Sequence, residues 1–261
     1  MIKIKNLCKS YGQGQAKIEV LKNIDLDIEK GKIICILGPS GSGKSTLLNI
    51  IGGIESIDNG GVYIGEENIA NMSKKDLETY RRNKLGFVFQ FYNLISDLNV
   101  FENIEVGKYL AKNPLDINKL VEDLGIKEQI YKFPNEISGG QAQRTSIARA
   151  LIKRPEILIC DEPTGALDYE SAKDVLNLLE KMNQDYGSTI LIASHNIQIS
   201  KMCDYILSLH NGQVKAYIKN ERKILAKEVT WWWKIQSIRE LTGKSTSTLQ
   251  GFFQFFLPWP L

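Results

Sequence analysis

Hydrophobic residues alternate with polar ones in two segments near the start of the chain. Apolar side chains stand at Ile2 and Ile4 in the first segment, and at Ile24, Leu26 and Ile28 in the second. A period of two is typical of a β-strand that has one face in solvent. We interpret the first segment as a half-exposed edge strand, and the two together predict an antiparallel β layer.

Four short runs further along are apolar almost throughout: 33–37, 86–89, 157–160 and 189–193. Such runs are typical of central strands in a parallel sheet that helices cover on both faces. Helical periodicity lies between them, at 45–51, 140–152 and 171–185. Strands that alternate with helices predict an α/β fold, whose ligands bind at the carboxyl ends of the strands. The polar residues that directly follow each run are therefore the first candidates for chemistry.

Two regions break this alternation. Residues from about 91 to 155 carry helical patterns and no convincing central strand, which predicts a helical subdomain inserted into a sheet domain spanning residues 1–220. The segment 221–261 holds all four tryptophans and no α/β alternation. We expect an atypical aromatic tail there. It is a partner-binding segment, a membrane-surface anchor, or a product of a frameshift or of cloning, and the sequence does not choose between them.

Composition excludes several classes of protein. The 261 residues are 43% hydrophobic and 24% charged, which is ordinary for a globular protein. A net charge of +3 is too small to argue for nucleic acid as a partner, and it is compatible with an anionic membrane face. Four cysteines without a C-x-x-C pair, and only two histidines, make a zinc site unexpected. No apolar stretch reaches the roughly 20 residues that span a bilayer, and the first residues show no secretory signal. Work at a membrane would therefore need another chain to cross it.

A glycine-rich loop follows the apolar run 33–37 and leads into a helical pattern. It fits G-x-x-x-x-G-K-[ST] in the strand–loop–helix context that this pattern requires. Glycines let backbone N–H groups point at phosphate oxygens, and the helix beginning near Lys44 adds the positive end of its dipole. We expect Lys44 to reach the β and γ phosphates and Ser45 to bind Mg²⁺. The residues of this predicted phosphate site are Gly38, Pro39, Ser40, Gly41, Ser42, Gly43, Lys44, Ser45 and Thr46.

The letters GKST occur a second time, at 243–246. Ile238 stands where the pattern requires a glycine, and no strand pattern precedes the segment. We interpret this second occurrence as chance.

Two adjacent carboxylates, Asp161 and Glu162, follow the apolar run 157–160. Two acids at the end of a buried strand are costly unless a cation or another partner compensates them. Asp161 suits an outer-sphere ligand of Mg²⁺, and Glu162 is placed to polarise an attacking water. An exposed turn is the alternative interpretation, and the phosphate loop upstream weakens it.

Two further polar residues follow central runs. His195 comes after the run 189–193 and is expected to hydrogen-bond the γ phosphate and hold the water. Gln90 comes after the run 86–89, and its amide is expected to reach Mg²⁺ or the water. Either residue alone would be taken for an ordinary surface or loop side chain. The predicted catalytic residues are Glu162, His195 and Gln90, and the predicted metal-binding residues are Ser45, Gln90 and Asp161.

The segment 137–144 reads ISGGQAQR and precedes a helical pattern. Ser138 followed by two flexible glycines at the start of a helix makes an anion-binding N-terminus on physical grounds alone. The segment closely resembles the signature sequence of the ABC ATPases, which usually begins with leucine where this chain has Ile137. The phosphate loop, the glutamine, the signature, the Asp–Glu pair, the segment GALD at 165–168 and the histidine follow the order of that family. The resemblance covers roughly residues 1–220.

This resemblance implies the fold and the cofactors. The fold would be that of a P-loop NTPase, a RecA-like parallel sheet core with an antiparallel β layer and an inserted helical subdomain. The cofactors would be ATP and Mg²⁺, in sites that two head-to-tail domains share. Tyr11 is implied to stack on adenine, and Asp168 to belong to the D-loop. The residues implied to close on the ATP of the second domain are Ser138, Gly139, Gly140 and Gln141.

Two segments, GFVFQFYNLI at 86–95 and LNVFENI at 98–104, narrow the resemblance. They look like the branch of lipoprotein-release, macrolide-export and antimicrobial-peptide-resistance ATPases, which also contains the cell-division ATPase. The usual forms there are FVFQ-x-F-N-L and L-T-V-x-E-N, so Tyr92 replaces phenylalanine and Asn99 replaces threonine. The aromatic residues of this loop either meet a coupling helix of a membrane partner, as in the family, or pack in the core.

Three departures from the family pattern stand out. Asn196 occupies the position after the histidine where aspartate is common. The segment between Asn103 and the signature is short. Residues 228–231 resemble the acidic-Trp ending of some relatives, after which 232–261 have no recognised counterpart.

The expected function is therefore that of an ATP-hydrolysing subunit at the cytoplasmic face of a membrane. It would pair with a second copy and drive a separate integral membrane permease, with export or extraction of an antimicrobial peptide, macrolide or lipoprotein as its work. The alternative within the same chemistry is an ATPase for transmembrane signalling or cell division that moves no solute. A soluble ABC protein of translation or DNA repair is more distant, because those usually carry paired domains or a long coiled coil.

Overall fold

Ten β-strands and seven α-helices form the part of the chain that the computed structural model describes, residues 1–230. The strands are β1 Ile2–Tyr11, β2 Ile18–Ile28, β3 Ile33–Leu37, β4 Asn59–Ile64, β5 Glu67–Asn68, β6 Leu85–Val88, β7 Ile157–Asp161, β8 Thr189–Ser194, β9 Tyr205–His210 and β10 Gln213–Lys219. The α-helices are α1 Lys44–Ile51, α2 Lys74–Lys84, α3 Val100–Tyr109, α4 Ile117–Asp123, α5 Gly139–Leu151, α6 Tyr169–Tyr186 and α7 Ile197–Ser200. Trp231, the rest of the aromatic tail and the second GKST lie outside the described residues.

The larger sheet has the strand order β10-β9-β3-β8-β7-β6. Strands β9, β3, β8, β7 and β6 are parallel, and β10 joins the edge as an antiparallel partner of β9. Strands β7 and β8 are buried on both faces apart from the half-buried Asp161. The α/β expectation is confirmed, and β3, β6, β7 and β8 all direct their carboxyl ends to the same edge.

The smaller sheet is antiparallel, with the order β2-β1-β4-β5. The antiparallel layer is thus confirmed, but the assignment of β1 to its edge is wrong, because β1 pairs with both β2 and β4. The alternation of Ile2 and Ile4 with lysines reports one buried and one exposed face. An interior strand of a one-sided sheet shows that pattern as readily as an edge strand.

One hydrophobic core joins the two sheets. It contains Ile4 of β1, Leu26 of β2, Ile36 of β3 and Leu47 and Leu48 of α1, all buried. The helix that follows the glycine-rich loop is therefore fixed on its apolar side by both layers, and its first residues are held in place relative to the carboxyl edge of the parallel sheet.

Residues 91–155 contain α3, α4 and α5 and no strand. Helices α3 and α5 pack so closely that a Cβ atom at Gly107 would lie 2.4 Å from the Arg149 carbonyl oxygen. The division of the sheet domain into a core and an inserted helical subdomain stays a prediction. The boundary between that domain and the tail at residue 220 stays one as well. Within residues 1–230, no helix has the length and apolar character needed to cross a bilayer.

Candidate nucleotide site

A cavity of about 650 Å³ opens at the carboxyl edge of the parallel sheet. Side chains from the end of β1, the glycine-rich loop and the ends of β6, β7 and β8 line it. The lining residues are Tyr11, Val20, Ser40, Gly41, Gly43, Lys44, Ser45, Thr46, Gln90, Asp161, Glu162 and His195. The structure thus brings together the predicted phosphate loop and all the predicted catalytic and metal-binding residues.

The glycine-rich loop needs its glycines for two reasons. Gly43, the N-cap of α1, has φ of 100°, a conformation that side-chain-bearing residues rarely adopt. A Cβ atom at Gly38 would lie 2.2 Å from the Leu209 carbonyl oxygen. Lys44 folds back over the loop, and its Nζ donates to the carbonyl oxygens of Gly38 (2.8 Å) and Pro39 (3.0 Å). The loop therefore presents an ammonium group beside the first turn of α1, where anions bind well.

Glu162 and His195 form a pair across the ends of β7 and β8. The Nδ1 atom of His195 lies 3.1 Å from Oε1 of Glu162. The carboxylate is the sheltered member, since the Glu162 side chain is 17% exposed and the His195 ring 71% exposed. Glu162 has φ of 49°, and its N–H donates to the Ala193 carbonyl oxygen. The left-handed backbone turns this carboxylate from the strand direction toward the cavity, where it can accept a proton from a water.

Asp161 carries a buried oxygen that lacks a hydrogen bond, since no described residue donates to its Oδ1. A buried carboxylate oxygen without a partner is costly, and a cation beside it removes that cost. Ser45 and Gln90 line the same cavity, so a hydroxyl, an amide and a carboxylate oxygen face one space. Oxygen donors of this kind suit Mg²⁺, and the residues present therefore fit that ion.

Tyr11 lies at the end of β1 on the cavity wall, with 42% of its surface exposed. Its hydroxyl donates to Glu55 and lies 3.4 Å from the Thr46 hydroxyl oxygen. An exposed aromatic ring next to a phosphate loop has the form of a stacking platform for a base. Val20 of β2 also lines the cavity, whereas Asn23–Leu26 of the same strand do not.

The signature residues do not line this cavity. Ser138 is the N-cap of α5, and its Oγ accepts from the N–H of Gln141 while Oε1 of Gln141 accepts from the N–H of Ser138. This reciprocal capping box fixes the first turn of α5. The N-terminus of α5 is therefore a formed anion-binding end that lies outside this cavity.

The two signature glycines owe their presence to close packing and not to flexibility. Both lie inside α5 without a positive φ. A Cβ atom at Gly139 would lie 2.7 Å from Oη of Tyr92, and one at Gly140 would lie 2.7 Å from Oγ of Ser171. A larger residue at either position would have to displace the Tyr92 or Ser171 side chain.

Asp168 lies next to the signature through Ser171. It is the N-cap of α6, its Oδ1 accepts from the N–H of Ser171, and its Oδ2 accepts from the Ser171 hydroxyl. These hydrogen bonds, with the backbone bond first, lower the pKa of Asp168. The same Ser171 side chain packs on Gly140, so Ser171 connects Asp168 of the D-loop to the signature helix.

The aromatic residues around Gln90 divide between the two interpretations that the sequence left open. Phe87 and Phe89 stack on each other, with ring centroids 5.3 Å apart and planes 10° apart. Phe91 is 73% exposed. Phe87 and Phe89 are thus half-buried and pack on each other, and Phe91 is available to a partner.

Two residues that organise the loop after Gln90 were not singled out from the sequence. Asn103 is fully buried, and its side chain hydrogen-bonds four backbone groups of Ile95, Leu98 and Asn99. Arg149 of α5 donates to the carbonyl oxygen of Tyr92. The sequence signal for Asn103 was its place in FENI. Arg149 gave none, because its partner is 57 residues away in the chain.

The departures at Asn99 and Asn196 have a simple structural reading. Asn99 is the N-cap of α3 and forms a capping box with Glu102, a position that asparagine and threonine both fill. Asn196 caps α7 by accepting from the N–H of Gln198. Both substitutions keep the local capping bond.

Comparison with known proteins gives the same picture over most of the chain. The profile of the ABC transporter family matches residues 21–165. The putative ABC transporter ATP-binding protein MG467 of Mycoplasma genitalium is 43% identical over 219 residues, which cover 82% of this chain and 70% of that protein. Two further Mycoplasma relatives are longer still, and the chain spans 59% and 50% of their length.

Two other matches cover most of the length of the matched protein. The bacitracin export ATP-binding protein BceA of Halalkalibacterium halodurans is 42% identical over 214 residues, or 80% of this chain and 85% of that protein. The dimeric structure of the cassette MJ0796, a Methanocaldococcus jannaschii protein, in a post-hydrolysis state bound to ADP and Pi superposes with a TM-score of 0.77 at 37% identity. That alignment covers 85% of this chain and 99% of the other.

These matches extend well beyond the glycine-rich loop, which alone would indicate only a nucleotide-binding protein. The family profile alone includes the inserted helices and the Asp–Glu pair. The chain therefore belongs to the ABC transporter family, as one of its ATP-binding and ATP-hydrolysing cassettes with a P-loop NTPase fold.

Proposed function

We propose that the chain works as a homodimer that drives a separate membrane permease in export. The observation that carries the dimer is the separation of two half-sites. The cavity holds Lys44, Asp161, Glu162 and His195, whereas the capped N-terminus of α5 lies outside it. A second copy placed head to tail would bring its α5 to this cavity and complete the site. The solved cassette MJ0796 is a dimer, which supports this arrangement.

The residues of one chain would bind the nucleotide as follows. Backbone N–H groups of the glycine-rich loop and the Lys44 ammonium hold the phosphates, with Lys44 exchanging its two carbonyl partners for phosphate oxygens. Ser45, Gln90 and Asp161 would hold Mg²⁺, which neutralises charge on the phosphate oxygens when it is bound. Tyr11 would stack on the adenine.

The chemical step is hydrolysis of the γ-phosphoryl group by water. Glu162 accepts a hydrogen bond from the attacking water and takes its proton as the new bond to phosphorus forms, while the bond from that phosphorus to the bridging oxygen breaks and ADP leaves. His195 fixes the direction of that carboxylate through the 3.1 Å contact and, since it lines the cavity, would hydrogen-bond the γ phosphate. The N–H groups at Gly139 and Gly140 of the partner copy stabilise the charge on the transferred group.

Export is supported by one relative in particular, the ATP-binding protein BceA, whose name states bacitracin export. Phe91 offers an exposed aromatic contact for the permease directly after Gln90, so force from the γ-phosphate side would reach the membrane partner over one residue. The chain would then sit peripherally at the cytoplasmic face of the membrane, with a peptide antibiotic as the first substrate to test.

Two measurements test this proposal in sequence. Glu162→Gln is expected to bind ATP, to release no phosphate above background and to sediment as a dimer only with ATP. An ATP-bound Glu162→Gln protein that stays monomeric would contradict the shared site. Phe91→Ala should leave basal turnover unchanged.

The permease that co-purifies with the wild-type chain is then reconstituted with it in vesicles. ATP-dependent efflux of bacitracin, lost with Glu162→Gln, supports export. ATPase stimulation by that permease without efflux of bacitracin, macrolide or lipoprotein would favour the signalling or cell-division alternative.

A further inference from the structure

The Tyr11 hydroxyl is tied to a carboxylate at the far end of the phosphate-loop helix. It donates to Oε2 of Glu55, four residues beyond the end of α1. Burial, and then this hydrogen bond, raise the pKa of Tyr11, and a phenol is protonated at neutral pH even without such a shift, so the hydroxyl is a donor. An exposed tyrosine would otherwise rotate freely about its side-chain bonds.

Glu55 is itself held by α1. Its Oε1 accepts from Nδ2 of Asn49 at 3.1 Å, and its backbone N–H donates to the Asn49 carbonyl oxygen at 3.3 Å. The N–H of Ile54 donates to that same carbonyl at 2.9 Å. Glu55, which accepts the hydrogen bond from Tyr11, is thus anchored to Asn49 of α1 through both its carboxylate and its backbone N–H.

A second contact ties the ring to the start of α1. Tyr11 has a single hydroxyl proton, which it donates in the hydrogen bond to Glu55. The Thr46 hydroxyl must therefore be the donor in its 3.4 Å contact with Tyr11. Lys9 lies over one face of the ring, with Nζ 5.3 Å from the centroid. A stacked base would therefore use the opposite face of the ring.

We propose that Glu55 is a positioning residue for the base end of the nucleotide: it fixes the Tyr11 ring at a set distance from the phosphate-binding end of α1. This inference rests on the proposed stacking of adenine on Tyr11. Its physical basis is preorganisation, since a ring already held in place need not be ordered when ATP binds. Glu55 touches neither phosphate nor reacting water, so its effect belongs to binding and not to the chemical step.

Steady-state ATP hydrolysis separates these two effects. Glu55→Ala is expected to raise KM for ATP roughly two- to tenfold, the worth of one hydrogen bond, with kcat unchanged. Glu55→Gln keeps an acceptor for the Tyr11 hydroxyl and should stay close to the wild type. The inhibition constant of tripolyphosphate, which has no base, should not change in either variant. Glu66→Ala is the matched control, because Glu66 is an exposed acidic residue in the turn between β4 and β5.

A double-mutant cycle tests whether Glu55 acts through Tyr11. Tyr11→Phe removes the hydroxyl and with it the contacts to both Glu55 and Thr46, so the double variant should show no larger rise in KM than Tyr11→Phe alone. Additive effects would overturn the inference, as would an equal loss of tripolyphosphate affinity, which indicates a general disturbance of α1.

Tyr11→Ala separates the inference from the function beneath it. A raised KM in Tyr11→Ala combined with no change in Tyr11→Phe and Glu55→Ala leaves stacking intact and overturns the role of Glu55. An unchanged KM in Tyr11→Ala overturns both, because no platform would then remain to be positioned.

Discussion

The imidazole Nδ1 of His195 lies 3.1 Å from Oε1 of Glu162. The two residues follow adjacent parallel strands, β8 and β7, so the sheet itself sets their spacing. The carboxylate is the sheltered partner and the ring the exposed one. The ring therefore orients the carboxylate without burying it further, and the pair remains open to a water in the cavity.

His195→Ala is expected to lower kcat for ATP hydrolysis about 10- to 100-fold, because Glu162 loses the contact that directs it at the water. KM should change much less. His210→Ala removes the only other histidine, which is exposed at the end of β9, and should leave both constants unchanged. Phosphate release at saturating ATP measures kcat for each variant. Equal kcat in the two variants would remove His195 from the mechanism.

Gly140→Ala should destabilise the fold by about 1–3 kcal/mol and depress turnover, because the new Cβ meets the Ser171 hydroxyl at 2.7 Å. Ser171→Gly opens that space, so the double variant is expected to recover part of the loss. Urea unfolding of the two single variants and the double variant gives the coupling between the sites. Purely additive free energies would show that Ser171 is not what Gly140 must avoid.

Asn103→Leu keeps the approximate shape of a buried side chain but strands its four backbone partners. The expected cost is about 2–4 kcal/mol in the free energy of unfolding. Asn118→Ala, at an exposed position of α4, is the control and should stay within about 0.5 kcal/mol of the wild type. A loss at Asn103 no larger than that of the control would mean that the loop 95–99 does not depend on it.

Lys153 should make stability depend on alkaline pH. Burial lowers its pKa from 10.5 to about 8, although its Nζ donates to the Arg81 carbonyl oxygen at 2.9 Å. Between these two values the unfolded chain binds more protons than the folded one, so stability rises with pH across that window. The full penalty is present below pH 8.

Lys153→Met removes the titrating group while keeping an apolar stem. Relative to this variant, the wild type is expected to gain about 2–3 kcal/mol between pH 8 and pH 10.5, measured by urea unfolding at each pH. Because every other group titrates in both proteins, their difference isolates Lys153. A difference that is flat over this range would contradict the lowered pKa.

The parts of the site that follow single strands were accessible from the sequence. Gln90, Asp161, Glu162 and His195 each come within two residues of the end of an apolar run, and parallel strands deliver such residues to one edge. The error at β1 arose because alternation reports burial of one face and is silent on the number of neighbouring strands.

Contacts between distant segments were not accessible in this way. Glu55 and Asn49 carry no motif that links them to Tyr11, and Arg149 reaches Tyr92 only because α5 packs beside the loop after Gln90. The packing role of Gly139 and Gly140 likewise depends on neighbours, Tyr92 and Ser171, that no spacing rule connects to them.

The position of the α5 N-terminus outside the cavity of its own chain has a genetic consequence. In the proposed dimer, a substitution at Ser138 inactivates the nucleotide site of the neighbouring copy. A substitution at Lys44 inactivates the nucleotide site of the copy that carries it. Two inactive alleles, one altered at each position, would then restore each other in a mixed cell. Their heterodimer contains one site in which both halves are wild type. The activity of a cell that carries both alleles would therefore depend on how the two chains pair and not on the activity of either chain alone.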